Sequence, residues 1–415
     1  MTMKYFFSDQ PTLSRFHIHP LGRYLDSYAA HLRDQGYDKN TARVKIRTIA
    51  RFSPWLKRHG ISAMDLNLGH IQDYLSMKVR KGPRLTKEDG AVLRQFAEFL
   101  HAKGVIAERI VPPVETTAIQ QMVDEYALYL RSERALASET IAQYESRVSQ
   151  FLDAHFAHGV VDLSTLRATD VIAFVASAAA NLSRKGAKLV TSALRSFLRY
   201  ARYHDYIDAD LAASVPSVAN WATVSIPRSL PREQVELVLA CVDRRTTIGQ
   251  RDYAILLLLA RLGLRAGEVV SLRLEDIDWR AGCITVHGKG SHLAQMPMPP
   301  DVGEAIALYL RNSRPKSSSR AVFLTANGPI TGFARAGAIS SIVSRALQHA
   351  GIETKRKGAH QFRHALAIEL LRTGASLPEI AEVLRHRTLQ CTTMYAKVDF
   401  ASLRPLGLPW PGGVQ

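Results

Sequence analysis

A chain of 415 residues, 47% of them hydrophobic, has material for more than one buried core and hence for two or three domains. Its 54 Lys plus Arg outnumber 37 Asp plus Glu, a net charge of +17, which points to a polyanionic partner, nucleic acid first. Three scattered cysteines (Cys241, Cys283, Cys391) exclude a disulfide scaffold, the longest apolar run (254–260) is too short for a bilayer span, and the N-terminus meets Asp9 before any signal-peptide core.

In chain order, residues 1 to about 20 carry no clear period and read as an irregular lead-in. From Leu21 the pattern turns helical, with Tyr24, Leu25, Tyr28 and Leu32 on one face and Gly36 ending the helix. Thr41 is expected to cap the next helix, whose apolar set is Val44, Ile46, Ile49, Phe52 and Leu56, closed by Gly60. A short helix around 71–75, a basic loop (Lys78, Arg80, Lys81, Arg84, Lys87) and a helix over 91–102 complete the segment.

The next hundred residues repeat this plan. Tyr126 and Leu130 answer Tyr28 and Leu32, each 98 positions on, and Thr140, Phe151 and Gly159 answer Thr41, Phe52 and Gly60, each 99 on. Lys185, Lys188, Leu194, Phe197 and Ile207 answer Arg84, Lys87, Leu93, Phe96 and Ile106, each 101 on. A fixed period with small drift is the mark of a duplicated domain. Val111-Pro112-Pro113-Val114 reads as a stiff linker between the copies, and 215–228 as a longer one. The expected domains are therefore 1–112, 116–216 and 228–400, followed by a Pro/Gly-rich tail, 401–415, too broken for a long helix.

In the last domain, Pro231 opens a helix over about 231–242. Further helices are expected at 247–261, just after Arg265, and at 302–312, 334–350, 360–372 and 378–384, with a last one carrying Tyr395. Strands at 276–279, 283–287 and 295–298 would form a small antiparallel sheet. The fold class is mainly α with a small antiparallel β-sheet, α+β.

The chemistry concentrates in 360–395. His360 and Arg363 stand i, i+3 on a helix and share a face. A guanidinium beside an imidazole suits an anion whose charge grows during reaction, such as a phosphate. After the turn Thr373-Gly374-Ala375-Ser376 come Arg385-His386-Arg387 and then Thr393-Met394-Tyr395. Upstream, Leu262-Gly263-Leu264-Arg265-Ala266-Gly267-Glu268 sets an arginine at a helix start, with Glu268 placed to pair with it. Gly288-Lys289-Gly290 presents one lysine at a hairpin tip. There is no Walker loop, Gly-x-Gly-x-x-Gly or clustered acidic triad, so neither ATP nor a two-metal nuclease site is expected, and no cofactor.

Read in order, Arg265, Lys289, His360, Arg363, His386 and Tyr395 resemble the signature of the tyrosine recombinase (phage integrase) family, over roughly 230–398. The resemblance implies a catalytic domain at 228–400 and a core-binding, SAM-like helical domain at 116–216 that grips double-stranded DNA. It further implies site-specific recombination through a 3′-phosphotyrosyl intermediate, without metal or ATP. Tyr395 would be the nucleophile and Lys289 the general acid. His360 would be base or orienting partner for the phenol, and His386 a donor to the phosphate that Arg265 and Arg363 neutralise. His364 is expected on a neighbouring face. The duplication makes 1–112 a second helical DNA-binding domain, with Lys81, Arg84, Lys87 and Arg184, Lys185, Lys188 meeting phosphate from matched loops. A homo-oligomer, a tetramer on two synapsed sites, is implied, with no membrane partner and a cytoplasmic, nucleoid-associated place. The added helical copy favours a mobile element. A type IB-like topoisomerase, a chromosomal Xer-like resolvase and a binding module with a dead site stand as alternatives. The sequence departs from the family where Leu384-Arg385-His386 replaces Leu-Gly-His, and where Ser291, His292 and Ala294 replace basic residues after the lysine.

Overall fold

Several helices begin where a side-chain oxygen takes an otherwise unpaired amide. Asp38 accepts from the Asn40 and Thr41 amides at 2.9 and 3.0 Å, Thr246 from Gly249 at 3.0 Å, and Ser183 from Gly186 at 3.3 Å. The cap expected at Thr41 is thus Asp38, and Thr41 lies inside the helix. The structure is a computed structural model that describes residues 3–17, 19–80, 87–107, 117–156, 160–217, 229–288, 293–354, 358–386, 388 and 391–396. Among them, no helix is long and apolar enough to cross a membrane.

The first segment holds α1 (Met3–Phe6), α2 (Gln10–His17), α3 (Gly22–Asp34), α4 (Lys39–Arg58), α5 (Leu68–Arg80) and α6 (Lys87–Ala102). The irregular lead-in is corrected: α1 and α2 are helices whose Met3, Phe6 and Leu13 join one core with Tyr28, Phe52 and Phe96. Four and eight residues are too few to display a period, so burial rather than pattern reveals them.

The second segment holds α7 (Ala118–Ser132), α8 (Ser138–Phe156), α9 (Ala168–Ala180) and α10 (Arg184–Tyr203) around its own core. Its four helices follow the order and approximate lengths of α3 to α6. Tyr28 meets Phe96 edge-on at 4.9 Å, and Tyr126 meets Phe197 edge-on at 5.3 Å. Arg184, Lys185 and Lys188, expected in a loop, lie exposed in the first turns of α10. Compactness divides the chain into Met1–Val111 with Ile226–Gln415, and Pro112–Ser225.

The third segment holds α11 (Arg232–Ala240), α12 (Thr247–Arg261), α13 (Ala266–Ser271), β1 (Ile277–Asp278), β2 (Cys283–His287), β3 (Leu293–Pro297), α14 (Pro300–Asn312), α15 (Gly337–His349), α16 (His360–Arg372), α17 (Leu377–Val383) and α18 (Thr393–Ala396). Residues 255–259 of α12 are all at most 1% exposed, so the second half of this helix is apolar all round and runs through the core of this segment. Each leucine so buried stabilises the fold by about 1.5–3 kcal/mol. The sheet runs β1-β2-β3, antiparallel, with Ile277 opposite Ile284 and Cys283 opposite Pro297. The first segment joins this one through backbone bonds: the Gly328 amide donates to Gly36 O at 3.1 Å and the Ile330 amide to Gln35 O at 3.0 Å.

Candidate active site

Arg265 is the residue before α13, and its amide donates to Glu268 Oε2 at 2.8 Å. Its guanidinium bonds Glu268 Oε1 at 2.6 Å and Arg385 O at 3.2 Å. Gly263 just upstream has φ +58, and a Cβ there would sit 2.9 Å from Leu384 and 3.0 Å from Leu366. Only glycine lets this turn press against α16 and α17. Its carbonyl takes Arg363 Nη1, while Leu384 O takes Arg363 Nη2. Arg363 is 4% exposed, and burial, then the charges of Arg265 and Arg385, push it down to about 10. It is still charged at neutral pH.

Burial works against the Glu268 carboxylate, but the Arg265 amide and the charges of Arg385 and Arg265 outweigh it and hold its pKa below the ordinary value. One buried carboxylate therefore serves two guanidiniums, since Arg385 Nη2 lies 3.0 Å from its second oxygen.

The Tyr395 side chain is 1% exposed and belongs to a small apolar cluster with Ala367, Ile380 and Leu384, from α16 and the α17 end. Its phenol lies 2.8 Å from His364 Nδ1, and burial pushes it up to about 12. The imidazole found against the phenol is that of His364, which the i, i+3 argument placed on a neighbouring face. The His360 ring is exposed, 6.4 Å from the His364 ring. The adjacent Arg363-His364 pair carried the signal: once the C-terminal helix folds over α16, position 364 faces it.

His386 lies parallel to the Tyr395 ring at 6.5 Å, and its Nδ1 is 2.7 Å from the Oγ1 of Thr392, itself fully buried. Burial first, then Arg363, Arg265 and Arg385, push His386 down to about 4, so its ring is neutral at pH 7. Nothing in the sequence marks Thr392, since a hydroxyl three residues before a tyrosine has no pattern of its own.

Lys289, Lys81 and Arg84 lie outside the described residues, as does the tail 401–415, and Lys87 begins α6 with its side chain outside the description. The strand leading to Lys289 ends at His287, whose Nε2 is fixed 2.8 Å from Asp276. Five of the six signature residues thus lie in the described chain. Arg265, Arg363, His386 and Tyr395 are packed together by the Gly263 turn, α16 and the end of α17, with His360 on the rim of that same helix.

The pattern described as "Phage integrase family" matches residues 228–402, and "Phage integrase, N-terminal SAM-like domain" matches 123–204. A protein of Sinorhizobium fredii named as an integrase/recombinase (y4rA) is 48% identical over 413 residues, covering 100% of both chains. Tyrosine recombinase XerD of Listeria monocytogenes is 30% identical over 294 residues, 69% of this chain and 97% of its own. The crystal structure of XerH site-specific recombinase bound to a palindromic difH substrate superposes with a TM-score of 0.56 at 18% identity, covering 81% of this chain and 93% of that one. On a match along its whole length, two domain patterns and this constellation, the chain belongs to the tyrosine recombinase (phage integrase) family of DNA-recombining enzymes.

Proposed function

We propose that this enzyme cuts and rejoins double-stranded DNA at specific sites, with Tyr395 as nucleophile, in the service of a mobile element. The observation that carries the reading is the phenol set 2.8 Å from a histidine on the same helix as the buried Arg363. Arg265 and Arg363 neutralise the two nonbridging oxygens as charge builds in the transition state. Tyr395 Oη attacks phosphorus while its proton passes to His364 Nδ1. The bond to the 5′ oxygen breaks, and that oxygen takes a proton from Lys289. A donor hydroxyl from Thr392 to His386 Nδ1 leaves the His386 proton on Nε2, free to bond the phosphate. Because the phenol is enclosed, α18 must swing outward before a phosphate reaches it.

The reversed step, with a 5′-hydroxyl from a second duplex, completes strand exchange, and a tetramer on two synapsed sites supplies the four nucleophiles. The repeated four-helix plan supports 1–112 as a second DNA-binding domain beside the core-binding one at 116–216, with Lys81, Arg84, Lys87 and Arg184, Lys185, Lys188 on phosphates. A full-length relative named as an integrase/recombinase, against a Xer relative that matches 69% of the chain, favours an integrase over a chromosomal resolvase.

The test is to trap protein on total DNA from its host under denaturing conditions and sequence the attached ends. Adducts on a defined site through a 3′-phosphate, absent with Tyr395→Phe, are expected. Absence of adduct with wild type, or an adduct surviving Tyr395→Phe, sinks the reading. Relaxation of supercoiled plasmid by the monomer without joining of two labelled sites would mean a topoisomerase instead. Affinity for that site should fall steeply with salt, and deletion of 1–112 should shorten the footprint.

A further inference from the structure

Arg385 occupies a position built for glycine. Its amide bonds Glu382 O at 2.9 Å and the His386 amide bonds Ala381 O at 2.9 Å, the paired bonds that end a helix on a left-handed residue. Its φ is +54, a conformation that disfavours any side chain with a Cβ. Such strain persists only where the surroundings hold it. Here they do: Nη2 pairs with Glu268 Oε2 at 3.0 Å, Nη1 bonds Val383 O at 3.1 Å and touches the Met296 sulfur, and the backbone carbonyl receives Arg265. The side chain is 12% exposed, with Nε enclosed and without a hydrogen-bond partner among the described residues. A guanidinium so enclosed does not reach a phosphate itself.

What it does reach is the carboxylate behind Arg265. Glu268 pairs with Arg265 at 2.6 Å, and a one-to-one pair would cancel much of the field that Arg265 presents to an anion. A second guanidinium on the same carboxylate leaves the group net positive.

We propose that Arg385 is a positioning residue for strand cleavage, neutralising Glu268 so that Arg265, steadied by the Arg385 carbonyl, meets the scissile phosphate with its charge intact. The role rests on Tyr395 acting as nucleophile. It predicts that this enzyme depends on a cation where the family pattern has glycine.

The experiment compares wild type, Arg385→Gly and Arg385→Lys in single-turnover adduct formation. The probe is a duplex carrying the mapped cleavage site, nicked just beyond the scissile phosphate so that the short 5′-hydroxyl fragment escapes. Glycine suits the left-handed backbone and keeps the carbonyl, so this variant should melt at or above the wild-type temperature. Its adduct rate should nevertheless fall on the order of 10- to 100-fold, with part of the loss recovered by lysine. Replacing the scissile phosphate with a neutral methylphosphonate should narrow the gap to wild type to about threefold or less, because the charge at stake is gone. A merely structural role would slow both substrates alike. Cleavage of the phosphate by Arg385→Gly at the wild-type rate, or an equal gap on both substrates, overturns the proposal. If Arg385→Gly melts well below wild type, the same two-substrate comparison with Arg385→Lys decides it. Wild type forming no adduct overturns the proposed function, and this role with it.

Discussion

At 2.8 Å from His364 Nδ1 and pushed up to about 12 by burial, the Tyr395 phenol stays protonated near neutral pH, and as the proposed nucleophile it needs a proton acceptor. His364→Ala should therefore slow adduct formation by about 10²- to 10⁴-fold, with a smaller effect from His360→Ala, measured on the same nicked duplex. Equal rates for His364→Ala and wild type would remove the histidine from the proton path. His386 makes a separate prediction about stability. Its folded value, about 4, lies below the ordinary 6.5, so the unfolded chain binds the extra proton between them. The stability it contributes is present above pH 6.5 and is lost as pH falls through 4. Allowing for solvent screening of a half-buried ring, the loss should be on the order of 1–2 kcal/mol. Thermal melts from pH 7 to 4.5 should fall less steeply for His386→Asn than for wild type.

Among elements, the two helical segments each turn through a left-handed residue after their first long helix. After α3 the chain turns through Gly36 at φ +74; after α7, 99 positions on, it turns through Ala135 at φ +46. A Cβ in the left-handed region costs about 1–2 kcal/mol, while glycine loses about 0.5–1 kcal/mol more entropy on folding. Ala135→Gly should thus stabilise the 112–225 unit by about 0.5–1 kcal/mol, read as a higher urea midpoint with unchanged slope. An unchanged or lower midpoint would contradict it. The shared four-helix plan was legible because its markers are helical-face aromatics, Tyr28 with Phe96 and Tyr126 with Phe197, 68 and 71 residues apart. The caps were less legible: Asp38 and Thr41 are both good cap residues, and only the backbone decides between them. Residues 81–86 and the tip of the lysine hairpin, 289–292, lie outside the described residues.

For the whole molecule, the first helical segment belongs to the same unit as the catalytic segment, joined by the Gly36–Gly328 contact. A Cβ on Gly328 would lie 2.6 Å from the Tyr37 nitrogen and 2.9 Å from the Gln35 oxygen. Gly328→Val should break both backbone bonds, each contributing about 1 kcal/mol. The expected result is faster protease cleavage at 35–37 and 325–332 with the catalytic core still cooperative; cleavage at the wild-type rate would show that the contact does not hold the segments together. No sequence signal announced this join, because a glycine in a polar loop looks like any other turn.

The sequence by itself determined most of the element types and the ordered set Arg265, Lys289, His360, Arg363, His386 and Tyr395. Helix faces and strand alternation are written within single elements, and the motif set is written in its order along the chain. Only the tertiary structure decided that His364 meets the phenol, that Arg385 shares Glu268 across 117 residues, and that the lead-in folds into the first core. Such contacts depend on how whole helices pack and which charges burial forces together, and local pattern carries no record of either.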